Sequence, residues 1–258
     1  MGDLGRSNHY SRHVGSLANS WARAEQSGRP RIAQLAIDIS RSVDAVASVL
    51  DRRESCRSYS QFGEDKVLRS LLPESIGRYL DVGAGHPVRN SNTFFFYRKG
   101  WRGELVEPIL TRAEECRRVR PRDTVRNCLV GTVHLNSTGH FWEFDPSELS
   151  TASEERARTL LASGAALKRN YECTVVPVSD LMPQVNPEDP FLLSVDVEGL
   201  DAQVISAIDW SRTRPRVVCV EDANWLEGGS EVATVMTMAG YTLVSQHSVS
   251  SIYLHASR

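Results

Sequence analysis

From Arg78 onward, short apolar runs alternate with amphipathic segments along the chain. Apolar runs bounded by polar residues are typical of strands buried on both faces, and three- and four-residue apolar spacing between them is typical of helices. The runs predict strands at 78–82, 103–106, 124–130, 191–197 and 216–220, and the segments predict helices at 90–99, 111–118, 201–208 and 230–239. This alternation predicts a doubly wound α/β fold, in which right-handed crossovers place helices on both faces of a parallel sheet.

The last two apolar runs, at 241–245 and 250–255, are separated by only a short polar turn. A parallel connection needs a much longer crossover, so these runs predict an antiparallel hairpin. The complete sheet is then expected to hold six parallel strands and one antiparallel strand. The polar, helix-prone segment 146–170 is expected to form a lid inserted between strands.

A glycine-containing loop, Asp81-Val82-Gly83-Ala84-Gly85, directly follows the first predicted strand. Gly83 and Gly85 allow a ligand to approach the backbone closely. The third glycine of a dinucleotide loop is missing, and Pro87 has no N–H for a pyrophosphate, which disfavours a nicotinamide-dependent dehydrogenase. The carboxylate of Asp81 suits S-adenosylmethionine, which carries a sulfonium and an ammonium group and no phosphate.

Glu107 ends the next predicted strand, where an acid binds both ribose hydroxyls of a nucleoside in this type of fold. The pattern therefore predicts a site for S-adenosylmethionine. The alternative is a structural turn followed by a surface glutamate.

Two later strands end in carboxylates: Asp196 and Glu198 lie at the end of one, and Glu221 and Asp222 at the end of the other. Adjacent parallel strands lie roughly 4.8 Å apart, so acids at their carboxyl ends can converge. Oxygen ligands suit Mg²⁺, and we expect Asp196, Glu221 and Asp222 to bind it. A bound cation would lower the pKa of an acceptor hydroxyl and orient it. The alternative is that these carboxylates bond to loop amides or pair with an arginine.

Five blocks in the region 58–222 resemble, in order, the FkbM-type methyltransferases. The blocks are Tyr-Ser-Gln-Phe-Gly-Glu-Asp at 59–65, Asp-Val-Gly-Ala-Gly at 81–85, Ser-Asn-Thr at 91–93, Gly-Trp-Arg-Gly at 100–103 running into Val-Glu-Pro at 106–108, and Ser-Val-Asp-Val-Glu-Gly at 194–199. The resemblance implies a class I, Rossmann-like methyltransferase fold. It also implies transfer of a methyl group, usually to an oxygen of a sugar or of a natural-product scaffold.

The resemblance also implies which residues contact the methyl donor. They are Gln61, Glu64, Asp81, Gly83, Gly85, Asn92, Glu107, Asn127 and Cys128. The acidic set is similar to the metal site of macrocin-type sugar O-methyltransferases. Those enzymes have a histidine three residues after the first acid, where this chain has Gly199. The general base must then be another residue, and the candidates are Glu198 and His140, although a lone histidine is more often structural.

The formal net charge of −2 argues against nucleic acid as a partner, because phosphate binding needs a basic excess. The sequence has no run of 18 apolar residues, so it predicts no membrane span, and the polar N-terminus lacks the apolar core of a signal peptide. The five cysteines form no CxxC motif, which is typical of reduced thiols inside the cell. We therefore expect a cytoplasmic protein.

Residues 1–57 lie outside the resemblance, which leaves 58–258 as the methyltransferase domain. The first residues are polar, and apolar residues then recur at helical spacing between Ile32 and Leu50. This helical extension is expected either to pack on the catalytic core or to form a homodimer.

The function expected from the sequence is O-methylation of a sugar, an oligosaccharide or polysaccharide, or a glycosylated metabolite, with S-adenosylmethionine as donor and with help from Mg²⁺. The alternatives are a metal-independent N- or carboxyl-methyltransferase and a non-catalytic module that only binds the donor.

Overall fold

The computed structural model describes residues 58–132, 137–222 and 230–256. The helical extension expected over 1–57, and with it the hypothesis of a homodimer through that extension, lies outside the described residues.

Ten strands and seven α-helices make up the described part of the chain. The strands are β1 Arg78–Val82, β2 Arg102–Val106, β3 Thr124–Arg126, β4 Leu129–Gly131, β5 Ser137–Asp145, β6 Ala166–Pro177, β7 Phe191–Val195, β8 Val217–Glu221, β9 Tyr241–His247 and β10 Ser250–His255. The helices are α1 Glu64–Leu71, α2 Phe94–Lys99, α3 Leu110–Val119, α4 Glu154–Ala162, α5 Val178–Leu181, α6 Asp201–Ser206 and α7 Glu231–Met238, and a single 3₁₀ turn covers Ser147–Leu149.

Seven of these strands form one sheet in the order β3-β2-β1-β7-β8-β10-β9. Strands β3, β2, β1, β7 and β8 pair in parallel, while β10 pairs antiparallel with both β8 and β9. Six strands therefore run in one direction and β10 runs against them, which confirms the predicted fold class and the terminal hairpin. The three central strands are buried along nearly their whole length, as expected for a sheet covered on both faces.

The predicted strand 124–130 is wrong in one respect, because it is two strands in two sheets. β3 ends at Arg126 and pairs with β2, whereas β4 starts at Leu129 and pairs with β6. Between them the Asn127 side chain donates to two backbone carbonyls, those of Glu107 at 2.9 Å and Pro108 at 2.8 Å. These bonds fix the turn that transfers the chain from one sheet to the other.

The second sheet has three strands in the order β4-β6-β5, with β5 and β6 forming an antiparallel hairpin. The 3₁₀ turn and α4 lie in the connection between β5 and β6. The helical content predicted for 146–170 is thus present, but Ala166 already begins β6. The start of β6 is exposed and polar, so it lacks the apolar alternation by which sequence reasoning recognises a strand.

The helix predicted from residue 90 begins only at Phe94, because the preceding residues form a turn. The Ser91 hydroxyl accepts the backbone N–H of Phe94 at 3.1 Å, and the Ser91 N–H donates to the carbonyl of Tyr59 at 2.9 Å. None of the helices in the described ranges is long and apolar enough to cross a bilayer.

Candidate active site

The glycine loop passes between the ends of the two strands that flank β1. The N–H groups of Gly83 and Ala84 donate to the carbonyl of Val106 on one side, and Asp196 donates its N–H to Val82 on the other. Gly83 has φ 82°, and a Cβ at this position would lie 1.7 Å from the carbonyl oxygen of Asp196. Position 83 therefore needs glycine for both conformation and space.

Glu107 is 3% exposed and braces the same loop. One carboxylate oxygen accepts the N–H of Gly85 at 2.7 Å, and the other accepts the N–H of Ile109 at 2.7 Å. Burial raises the pKa of Glu107 to about 7, against the lowering effect of these two hydrogen bonds. Each carboxylate oxygen has a second acceptor position, so the group can still accept hydroxyl protons from a ligand.

A pocket of about 1030 Å³, including the space at its open mouth, lies between this loop and the second sheet. Five residues predicted to contact the donor line it: Gln61, Gly83, Gly85, Glu107 and Cys128. Leu129 and Phe141 add apolar surface from the second sheet, and Ser150 and Ala152 add a wall between β5 and α4. The combination of apolar walls with a few polar groups is typical of a small-molecule site.

Asp81 lies beneath the loop, outside the pocket lining found among the described residues. It is 4% exposed and accepts the Thr93 hydroxyl at 2.5 Å. Arg120, itself buried, donates to that same hydroxyl at 3.0 Å and pairs with Asp123 at 2.8 Å. Burial raises the pKa of Asp81, and the nearby Arg120 guanidinium opposes the shift. In this geometry, Asp81 is bound to Thr93 at the start of α2 and does not face the pocket.

The three other predicted donor residues have protein partners of their own. Glu64 is buried and accepts a backbone N–H from two residues earlier, at 2.8 Å. Asn92 donates to the Ser194 hydroxyl at 3.2 Å, and Asn127 holds the turn at 107–108. In the described part of the chain, the pocket lining contains none of the three.

Asp196, Glu198 and Glu221 bring carboxylate oxygens within 4.8 Å of one another at the carboxyl ends of β7 and β8. Asp196 and Glu198 also line the pocket, next to the glycine loop. The Asp196 carboxylate is open to the pocket, but protein surrounds it on its other sides. Desolvation together with the neighbouring carboxylates raises the pKa of all three groups. Such a cluster favours the binding of a proton or of a cation.

Asp222, which was predicted to join the metal ligands, is directed elsewhere. It is 4% exposed and accepts the hydroxyls of Ser230 at 2.7 Å and Ser251 at 3.4 Å. Consecutive residues at the end of a strand point to opposite faces, so Glu221 and Asp222 cannot both face the pocket. Among the described residues, the group close enough to share a metal contains Glu198 in place of Asp222.

Two residues of the acidic site were missed by sequence reasoning. Asp201, the first residue of α6, accepts the N–H groups of Val197 at 2.9 Å and Gly199 at 3.1 Å and so shapes the turn 196–199. Its position directly after a glycine turn and at the start of a helix was an available signal. Arg156 in α4 forms an ion pair with Glu198, and nothing in its local sequence indicates that contact.

His140 lies on β5 with a side chain that is 62% exposed and 3.9 Å from Glu172. Its neighbour Phe141 is 4% exposed and lines the pocket. Because side chains alternate along a strand, His140 points away from the pocket. This geometry gives His140 no route to a bound acceptor.

Comparison with known protein families gives a match to the methyltransferase FkbM domain over residues 81–243, which is more than half of the chain. No curated protein matches the sequence.

Two solved structures show limited similarity. A TehB-like SAM-dependent methyltransferase from Corynebacterium glutamicum is 10% identical with a TM-score of 0.38, over 84% of this chain and 98% of that one. A 1,6-didemethyltoxoflavin-N1-methyltransferase from Burkholderia thailandensis, with 1,6-didemethyltoxoflavin and S-adenosylhomocysteine bound, is 15% identical with a TM-score of 0.38, over 83% of this chain and 84% of that one. At this TM-score neither likeness informs the role of any residue.

Proposed function

We infer the function of this chain from its family, because it belongs to the FkbM-type S-adenosylmethionine-dependent methyltransferases. We propose that it transfers a methyl group to a hydroxyl of a sugar, an oligosaccharide or polysaccharide, or a glycosylated metabolite. We further propose that Mg²⁺ assists the transfer. The observation that carries the proposal is the convergence of Asp196, Glu198 and Glu221 beside the glycine loop.

The donor is proposed to lie along the glycine loop, with its ribose against Glu107. The carboxylate would accept the two ribose hydroxyls with the acceptor positions that the loop N–H groups leave free. Cys128 and Leu129 offer an apolar surface for the adenine at the far side of the pocket. The methionyl end would then point toward Asp196, which places the methyl group near the carboxylate cluster.

The transfer is proposed as an in-line displacement. The acceptor oxygen attacks the methyl carbon while the bond from that carbon to sulfur breaks, and the electron pair of the broken bond stays on the sulfur. The hydroxyl proton passes to a carboxylate of the cluster, for which Glu198 and Asp196 are the candidates. A carboxylate has two oxygens, so a group that holds a cation through one of them can accept the proton on the other. Alignment of the acceptor with the methyl group supplies much of the rate.

The residues present fit a magnesium ion. Mg²⁺ prefers oxygen ligands, and three carboxylates from the ends of two neighbouring strands can reach one point. Asp196, Glu198 and Glu221 would hold the ion, which would lower the pKa of the acceptor hydroxyl. Asp201 would keep the ligand-bearing turn in shape through its two backbone hydrogen bonds.

Calorimetric titration of S-adenosylhomocysteine into the full-length protein, with and without Mg²⁺, tests the donor site. We expect micromolar binding in both conditions, because the proposed donor contacts do not include the metal. If the protein binds no S-adenosylhomocysteine in either condition, the glycine loop is a structural turn and the proposal fails.

A matched pair of variants tests the metal site. Asp196→Asn is expected to lose Mn²⁺ binding, followed by electron paramagnetic resonance, and to retain binding of S-adenosylhomocysteine. Asp222→Asn makes the same chemical change at the end of the adjacent strand and is expected to bind Mn²⁺ as the wild type does. Loss of Mn²⁺ binding in a folded Asp222→Asn protein would restore the original ligand set, and normal Mn²⁺ binding in Asp196→Asn would exclude the proposed one.

The second candidate function is methyl transfer without a metal, to a nitrogen or a carboxyl group. The Arg156 guanidinium already contributes one positive charge to the carboxylate cluster, and this favours some activity without a divalent cation. A screen with labelled S-adenosylmethionine against sugar, amine and carboxylate acceptors separates the two candidates. Turnover that survives complete chelation supports the second, and turnover of a sugar that stops with chelation supports the first.

A further inference from the structure

The segment 151–156 is attached to the turn 196–199 by three contacts. The Thr151 hydroxyl donates to the carbonyl of Glu198 at 2.7 Å. The Arg156 guanidinium forms an ion pair with the Glu198 carboxylate. A Cβ on Gly199 would lie 3.1 Å from the Arg156 side chain, so the two segments pack closely there. These contacts hold the start of α4 against the acidic site.

The same segment forms part of the pocket wall. Ser150 and Ala152 line the pocket directly, and the Ser153 hydroxyl caps the start of α4 by accepting the Arg156 N–H at 3.3 Å. Movement of the start of α4 away from the turn 196–199 would therefore change the wall beside the glycine loop. The attachment and the pocket are mechanically connected.

Arg156 is the cation that lowers the pKa of Asp196, Glu198 and Glu221. One guanidinium cannot neutralise three carboxylates, and the cluster retains excess negative charge when they are ionised. The guanidinium itself is only partly satisfied, since its buried Nε has no hydrogen-bond partner among the described residues. The ion pair is therefore open to competition from a more highly charged cation.

Glu198 has φ 56°, in the left-handed region that is unfavourable for a residue with a side chain. Such a conformation persists where surrounding contacts hold it, and here the Thr151 hydroxyl and the backbone bonds of Asp201 supply them. The backbone of Glu198 is thus held in place, and its carboxylate lies between Arg156 and the carboxylates of Asp196 and Glu221.

We propose that Arg156 is a built-in counter-ion of the carboxylate cluster and that a divalent cation displaces it from Glu198. Displacement removes the ion pair that holds the start of α4 against the turn 196–199, leaves the Thr151 hydrogen bond as the remaining polar contact and loosens the adjoining pocket wall, so that occupancy of the metal site controls access for the acceptor. This inference rests on the proposed metal-assisted function and adds a positioning residue and a moving element to it.

The proposal predicts that Arg156 and a divalent cation compete. Removing a positive charge a few ångströms from the cation should strengthen cation binding, because the two charges repel at short range. We expect Arg156→Gln to lower the Kd for Mn²⁺ at least about tenfold relative to the wild type. Arg158→Gln is the matched control, since Arg158 lies on the same helix, is exposed and pairs only with Glu154 in the described contacts. Its Kd should stay within about twofold of wild type, as expected for a surface pair.

The second readout is amide hydrogen exchange of the full-length protein over residues 151–162. Mn²⁺ should accelerate exchange in this segment of the wild type and of Arg158→Gln. In Arg156→Gln the exchange should already be fast and should not respond to Mn²⁺. This readout does not depend on turnover or on the identity of the acceptor.

The outcomes separate this inference from the function on which it rests. Equal Mn²⁺ affinity in wild type and Arg156→Gln, or weaker binding in the variant, would overturn the competition while leaving the metal site in place. Slower exchange of 151–162 on addition of Mn²⁺ would overturn the release of α4. If neither protein binds Mn²⁺, the metal site and the competition both fail, while binding of S-adenosylhomocysteine still reports on the donor site.

Discussion

Replacing Gly83 by alanine tests the way in which the donor loop is built. The added Cβ would lie 1.7 Å from the carbonyl oxygen of Asp196, at a backbone φ of 82°. The carbonyl belongs to the first residue beyond β7, whose N–H is bonded to Val82 at 2.9 Å. The loop and the end of β7 must therefore move apart by about 1 Å or more before an alanine fits.

The expected cost follows from two contributions. A residue with a side chain pays about 1–2 kcal/mol for the left-handed conformation. Overpacking against the backbone of β7 adds about 1–3 kcal/mol. The free energy of unfolding should thus fall by about 2–5 kcal/mol in Gly83→Ala. Displacement of Asp196 should also weaken binding of S-adenosylhomocysteine.

Gly85→Ala is the matched control in the same loop. Gly85 has φ 55°, but a Cβ there would meet no atom within 4 Å. Its cost in stability should be limited to the conformational contribution of about 1–2 kcal/mol. The methyl group would project into the space that the donor is proposed to occupy, so binding should weaken although the fold is nearly intact.

Equilibrium urea unfolding followed by circular dichroism measures the first effect, and calorimetric titration of S-adenosylhomocysteine measures the second. The reasoning is refuted if Gly83→Ala is as stable as Gly85→Ala, because the close approach to Asp196 would then have no energetic consequence. It is also refuted if both variants bind S-adenosylhomocysteine as the wild type does.

Three further changes probe other parts of the site. Glu107 has a pKa raised from 4.5 to about 7 in the folded protein, so the wild type should lose stability as pH rises through this range and bind S-adenosylhomocysteine more tightly once Glu107 ionises. Glu107→Gln should bind S-adenosylhomocysteine at least about tenfold more weakly and lose this pH dependence. Calorimetry between pH 5.5 and 8.5, a range of about three units around that pKa, measures both effects. The same curve of affinity against pH for both proteins would contradict the role of Glu107. His140→Ala should change turnover and stability by less than about 0.5 kcal/mol, because the side chain is 62% exposed and points away from the pocket, and a large loss of turnover would return His140 to the mechanism. Arg120→Met should lower the free energy of unfolding by about 3–5 kcal/mol, since it leaves the buried carboxylate of Asp123 without a counter-charge. A urea midpoint close to that of the wild type would show that the hydrogen bonds from Tyr79 and Gly103 are enough to stabilise Asp123.

The main sheet of the described residues could be predicted because its signals are local, whereas β5, β6 and the second sheet that they form with β4 were not predicted. The buried strands of the central sheet are continuous apolar runs, and a short polar turn before Ser250 excludes another crossover. The predicted strand 124–130 was misread, because it joins the mostly exposed segment Thr124–Arg126 to the buried residues Cys128, Leu129 and Val130 across Asn127. Two hydrogen bonds from the Asn127 side chain to the backbone of residues 107–108 divide it, and the sequence of the strand itself does not predict them.

The glycine loop and its pocket were likewise predictable, because Gly83, Gly85 and Glu107 lie at sequence positions that the strand ends fix. The position of a residue after a strand determines its place at the sheet edge, but the direction of its side chain depends on its neighbours. Asp81 has the expected position and points to Thr93, beneath the loop.

The sequence by itself determined the order of elements, the glycine loop and the presence of acids at the ends of β7 and β8. Only the tertiary structure decided which acids meet, because that depends on the alternation of side chains at a strand end and on distant partners. Asp222 is bound by two serines, Glu198 takes its place beside Asp196, and Arg156 reaches them from α4, 42 residues from its partner Glu198 in the sequence. Apolar periodicity can be recognised in the sequence, whereas charge pairing depends on contacts between distant segments that come together only when the chain folds.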